Sequence, residues 1–104
     1  MKDIITVIVK NPGEPAEPRE IPNTLEELQE IVGGYIEVVT PCTDAAIICN
    51  EEGKLRGMPF NGRLLGEDFV GPLIFVGIDG EDFDDFPGGM DVWDRTFGKG
   101  AWAI

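Results

Sequence analysis

Histidine and serine are absent from this 104-residue chain, cysteine occurs twice, and Lys and Arg together number only 8. Each shortage closes off a class of function. Without histidine there is no ready general base near neutral pH and no imidazole metal ligand. Without serine, or a cysteine flanked by a base, the usual nucleophiles of acyl transfer are missing. Cys42 and Cys49 flank an expected turn, Cys42 at its tip and Cys49 along the returning strand, so a hairpin does not set them opposite each other. They read as two reduced thiols, with Cys49 packed as a small hydrophobe. No metal site, catalytic residue or cofactor is expected. No apolar run approaches the roughly 20 residues of a membrane span. Met1-Lys2-Asp3 leads straight into a strand-like segment without a secretory leader pattern. The expectation is a cytoplasmic, non-enzymatic protein.

The scarcity of basic residues leaves 20 acidic against 8 basic ones, a net charge of −12. That field repels nucleic acid and anionic membrane and speeds encounter with a basic protein surface. It is also an ordinary route to solubility. The length suits one domain, and the 42% hydrophobic fraction suits a packed core.

What the chain does contain is organised around Thr24–Thr40. Thr24 and Glu27 have capping-box spacing. Leu25, Leu28, Ile31 and Val32 then fall on one side of a 3.6-residue period, leaving Glu26, Glu27, Gln29 and Glu30 towards water. Gly33 is placed to end the helix with positive φ. Strands are expected at Asp3–Lys10 (continuous and β-branched, hence covered on both faces), at Arg19–Pro22 as an edge, at Tyr35–Thr40, at Ala45–Cys49, and from Leu73 onward. Asn50-Glu51-Glu52-Gly53 reads as a tight hairpin loop with left-handed Gly53, after which Lys54–Met58 pairs back. Pro59–Gly66 reads as a loop with a turn at Asn61-Gly62, Asp79-Gly80 as another turn, and Pro87–Met90 as a flexible one. The pattern predicts an α+β fold: a mostly antiparallel sheet of about five or six strands with one principal helix on one face. Residues 1–86 form the expected domain. Residues 87–104 form an aromatic tail packed on that domain or on a partner.

Three blocks carry a resemblance. Gly33–Val39 (GGYIEVV), Ile48–Leu64 (ICNEEGKLRGMPFNGRL) and Gly71–Phe83 (GPLIFVGIDGEDF) together resemble a small family of phage and Gram-positive bacterial proteins, domain of unknown function number three thousand eight hundred and forty-six. The resemblance spans roughly residues 3–83. It implies an origin in a phage, plasmid or other mobile element, or in a host carrying one, and it implies no activity. Family members often continue into a helical, polar C-terminus, whereas this chain ends in an Asp- and Trp-containing tail.

Candidate sites follow from charge and loop chemistry. Asp79, Glu81, Asp82, Asp84 and Asp85 are acidic but miss the calcium-loop spacing, since Phe83 takes a ligand position. They read as an exposed acidic loop. Arg63 and Arg56, with Asn61 and Gly62, offer loop N–H groups beside guanidinium forks and suit a small phosphate- or carboxylate-bearing ligand. Phages encode small proteins that sequester nucleotide signals, so the resemblance keeps that option open. Trp93, Phe97 and Trp102 are residue types that anchor interfaces, and Asp82, Asp84 and Asp85 supply charge beside them. The first expectation is an acidic accessory protein that binds and modulates a host protein with a basic surface, such as a nucleic-acid-handling or defence factor. The alternatives are a sponge for a phosphorylated or cyclic nucleotide and a structural or regulatory homodimer.

Overall fold

The computed structural model describes residues 2–103. Its element order is β1 (Ile4–Lys10), β2 (Glu17–Pro22), α1 (Leu25–Val32), β3 (Ile36–Val39), β4 (Ala45–Asn50), β5 (Phe60–Leu64), β6 (Glu67–Val70), β7 (Leu73–Asp79), β8 (Asp82–Asp84), α2 (Gly89–Thr96) and β9 (Ala101–Trp102). The main sheet runs β2-β1-β7-β4-β3, every neighbour antiparallel. β8 pairs with the length of β7 that β1 leaves uncovered. The fold is therefore α+β, as the patterning predicts. No helix among the described residues is long and apolar enough to cross a membrane.

The alternation of side chains along the central strands builds two cores, one on each face of that sheet. Ile5, Val7 and Val9 of β1, Ala46 and Ile48 of β4, and Ile74 and Val76 of β7 point one way and meet Leu28 and Val32 of α1. Ile8, Ala45, Ile47, Cys49, Leu73 and Phe75 point the other way. Burial on both faces explains why these strands read as near-continuous apolar runs.

α1 forms where its sequence dictates, with Leu28 and Val32 buried, although Leu25 of the expected apolar face is 53% exposed. Thr24 Oγ1 accepts from the Glu27 N–H at 3.2 Å, and Gly33 closes the helix at φ 80° with its N–H on the Gln29 carbonyl.

The second face has a cover that the sequence pattern did not announce: α2 together with a small sheet, β6-β5-β9. Three expectations are corrected there. Lys54–Met58 is a series of turns, not a strand. Asn50 Oδ1 accepts the Glu52 N–H at 2.8 Å and starts the turn, and Leu55 is 89% exposed. The left-handed glycine of this connection is Gly57, at φ 68°, rather than Gly53. Pro59–Gly66 is mostly strand β5, and its reversal falls at Leu65-Gly66, both with positive φ, in a two-residue hairpin. The Asp79-Gly80 turn stands as expected, joining β7 to β8. Pro87–Met90 leads into α2, whose Trp93 and Phe97, one turn apart, drive into the second core. Ile104, the last residue of the tail, lies outside the described residues.

Candidate functional site

The anion cradle expected at Arg56, Asn61, Gly62 and Arg63 is not assembled. Arg56 Nη1 donates to the Gly33 carbonyl at 2.9 Å and so finishes the end of α1. Arg63 spans the β5–β6 hairpin, 3.5 Å from Asp68 and donating to the Gly66 carbonyl at 3.3 Å. Each guanidinium serves a different element. Asn61 is 0% exposed, and Gly62 lacks a Cβ where the Trp102 ring lies against the backbone.

The expected interface residues also divide. Trp93 and Phe97 are core side chains, 4% and 5% exposed, too enclosed to anchor a protein partner. They are held by Phe75, whose ring centroid lies 5.5 Å from Trp93 and 5.0 Å from Phe97. Asp84 and Asp85 are occupied within the chain. Lys2 Nζ is 2.6 Å from Asp85 and 3.4 Å from Asp84, and Asp85 Oδ1 accepts the Thr6 N–H at 2.7 Å. The Lys2 ammonium and then the Thr6 amide hold the Asp85 carboxyl below its usual range. Asp82 is half-buried in β8. Trp102, in β9, is half-buried and donates its indole N–H to the Phe97 carbonyl at 2.9 Å.

The two thiols are free, Cys42 exposed and Cys49 buried. Burial, followed by Glu37 and Glu67, pushes the Cys49 thiol up to about 11. A thiolate-dependent reagent at neutral pH is therefore expected to label Cys42 alone in the folded protein and both cysteines after denaturation. Rapid labelling of Cys49 in a Cys42→Ala variant under native conditions would contradict its place in the second core.

One feature was not singled out from the sequence. Lys10 closes the apolar strand β1, and its side chain is on the same face as Ile8, yet the residue is only 4% exposed. Its Nζ donates to the Asn61 Oδ1 at 3.1 Å and to the Asn11 carbonyl at 3.0 Å, and lies 5.2 Å from the centroid of the Trp102 ring. Asn61 Nδ2 returns bonds to the Lys10 carbonyl at 2.7 Å and the Gly71 carbonyl at 2.8 Å. An ammonium carries three donors, and both of these acceptors are neutral. Among the described residues no carboxylate lies within ion-pairing distance of Lys10. Burial lowers the pKa of this ammonium, and Glu14 offsets part of that effect. The signal in the sequence was a lysine ending a strand that had to be covered on both faces.

Lys10 lines a cleft of about 530 Å³. Gly13, Glu14, Pro15 and Ala16 of the β1–β2 connection form one wall, Met90, Trp93 and Asp94 of α2 another, and Trp102 and Ala103 a third. The two indoles lie 5.6 Å apart at 30°. Trp93 Nε1 is the one buried side-chain polar atom among the described residues without a hydrogen-bond partner. A volume of this size, with mainly apolar walls and a few polar groups, suits a small organic molecule.

The family described as Domain of unknown function (DUF3846) matches residues 5–97, and the chain belongs to it. The match runs beyond the blocks that carry the resemblance and takes in α2 with Trp93 and Phe97, stopping short of Trp102. No curated protein and no solved structure matches the chain.

Proposed function

We propose that this DUF3846 protein is a non-enzymatic binding module whose cleft beside Lys10 takes a small organic anion. The observation that carries this reading is a buried ammonium with no carboxylate partner among the described residues, on the wall of a cleft large enough for a ligand. Buried charges ordinarily come paired. A ligand anion supplies the missing charge, and its desolvated contact with Lys10 is stronger than one made on the surface. The anion-binding alternative expected from the sequence thus moves from the two arginines to Lys10.

Thermal melting of the purified chain with aromatic carboxylates and with linear and cyclic nucleotides tests the reading. A ligand at about a hundred times its Kd adds about 2.7 kcal/mol to the native state, which for a domain of this size is a rise of roughly 10 °C or more. Lys10→Met is expected to abolish the rise and Arg63→Ala to leave it intact. A flat panel, or a rise that survives in Lys10→Met, would sink the proposal.

The net charge of −12 favours a second reading, capture of a basic host protein by an accessory protein of a mobile element. That reading predicts salt-sensitive capture indifferent to Lys10→Met.

A further inference from the structure

Building on the binding role proposed above, we propose that the cleft selects a planar, singly charged anion that also presents a hydrogen-bond acceptor to the Trp93 indole N–H. Three features of the walls define this ligand. The first is the charge count. Among the described residues Lys10 is the only basic one lining the cleft, while Glu14 and Asp94, both exposed, line it as well. One negative charge on a ligand meets the ammonium. A second meets carboxylates, inside the field of a protein already at −12. Nucleoside di- and triphosphates are thereby disfavoured, even though their bases suit the walls.

The second feature is shape. Trp102, half-buried, supplies a flat indole face, backed by the buried Trp93 ring whose centroid lies 5.6 Å away at 30°, and the Met90 thioether adapts to what lies against it. Aromatic walls of this kind favour a ring over a branched aliphatic body. The third is the unpaired donor. Trp102 has spent its indole N–H on the Phe97 carbonyl, whereas the Trp93 N–H has no acceptor among the described residues. Buried donors are almost always satisfied, and a ring nitrogen or carbonyl of a ligand satisfies this one.

The test uses the full chain labelled with nitrogen-15, whose two tryptophans give two indole signals, assigned with Trp102→Phe. Two probe series are titrated. Adenosine, cyclic AMP, AMP and ATP vary charge on one base, and benzoate and pyridine-3-carboxylate differ by one ring acceptor. Cyclic AMP is expected to bind at least about tenfold more tightly than adenosine, AMP or ATP, and pyridine-3-carboxylate similarly more tightly than benzoate. The Trp93 indole proton is expected to move downfield, and by more than that of Trp102, whose N–H is already bonded to the Phe97 carbonyl. A Glu14→Gln, Asp94→Asn double variant, altered only at exposed positions, is expected to narrow the gap between cyclic AMP and AMP. AMP or ATP binding as tightly as cyclic AMP overturns the charge rule and leaves the binding role standing. An unmoved Trp93 signal with ligand bound overturns the donor assignment alone. No Lys10-dependent binding of any probe overturns both this inference and the binding role beneath it.

Discussion

Phe75→Ala is expected to lower stability by about 3–5 kcal/mol, the range for emptying a fully buried aromatic site. The residue sits in β7, the middle strand of the main sheet, paired with Ile8 of β1 and Ile47 of β4. It is 0% exposed. Its ring is the hub of the second core, with centroid distances of 6.5 Å to Phe86, 5.5 Å to Trp93, 5.0 Å to Phe97 and 6.3 Å to Trp102. Three of these pairs are edge-on, an arrangement worth something beyond area burial alone. Because α2 is short and has no side-chain cap at its N-terminus, it depends on this contact rather than on its own propensity. Folded domains hold only about 5–15 kcal/mol in reserve, so the variant should be marginal and its tryptophan emission altered. Denaturant titration gives the number. A loss under about 1 kcal/mol would mean that α2 does not depend on Phe75 in solution. Phe75→Leu, which keeps most of the volume, should fall well short of the alanine loss.

The contrast between α1 and α2 shows what a single sequence discloses. α1 carries its signals locally: Thr24 at the start, apolar spacing through Val32, Gly33 at the end. α2 carries almost none. Its N-cap is Gly88 in a left-handed conformation, and its residues include Gly89, Asp91 and Thr96, none a strong helix former. It becomes a helix because Trp93 and Phe97 then land together under the sheet, a tertiary cause that leaves only two aromatics at i, i+4 as a trace. The same applies to Asn61-Gly62. Those two residues have the composition of a turn, yet the Asn61 side chain bonds to groups 10 and 51 residues away, and that demand holds the segment in β5. The cleft was still less legible, since its walls come from three separate stretches of chain. Central strands were easier to read because their burial on both faces is written into every residue.

Asn61→Ala is expected to cost about 3–5 kcal/mol, far beyond its small change in volume, because three buried groups lose partners at once. The Lys10 and Gly71 carbonyls each lose the amide donor, and Lys10 Nζ loses an acceptor. Each stranded group costs about 1–3 kcal/mol unless water reaches it, and at 0% exposure Asn61 leaves little access. Arg63→Ala, two residues along the same strand, removes an exposed pair with Asp68 and is expected to change stability by less than about 0.5 kcal/mol. A turn at Asn61-Gly62 predicts otherwise, since a solvated asparagine is replaced at a cost within about 0.5 kcal/mol, no more than Arg63→Ala. Lys10→Met separates the charge from the amide. If the Asn61–Lys10 bond couples the two, the double variant should be less destabilised than the sum of the singles by about 0.5–3 kcal/mol. Additive losses would mean that Asn61 stabilises the strand only through the two carbonyls. Lys10 would then be free to swing towards the cleft, and the anion site would be shaped by the ligand rather than held ready for it.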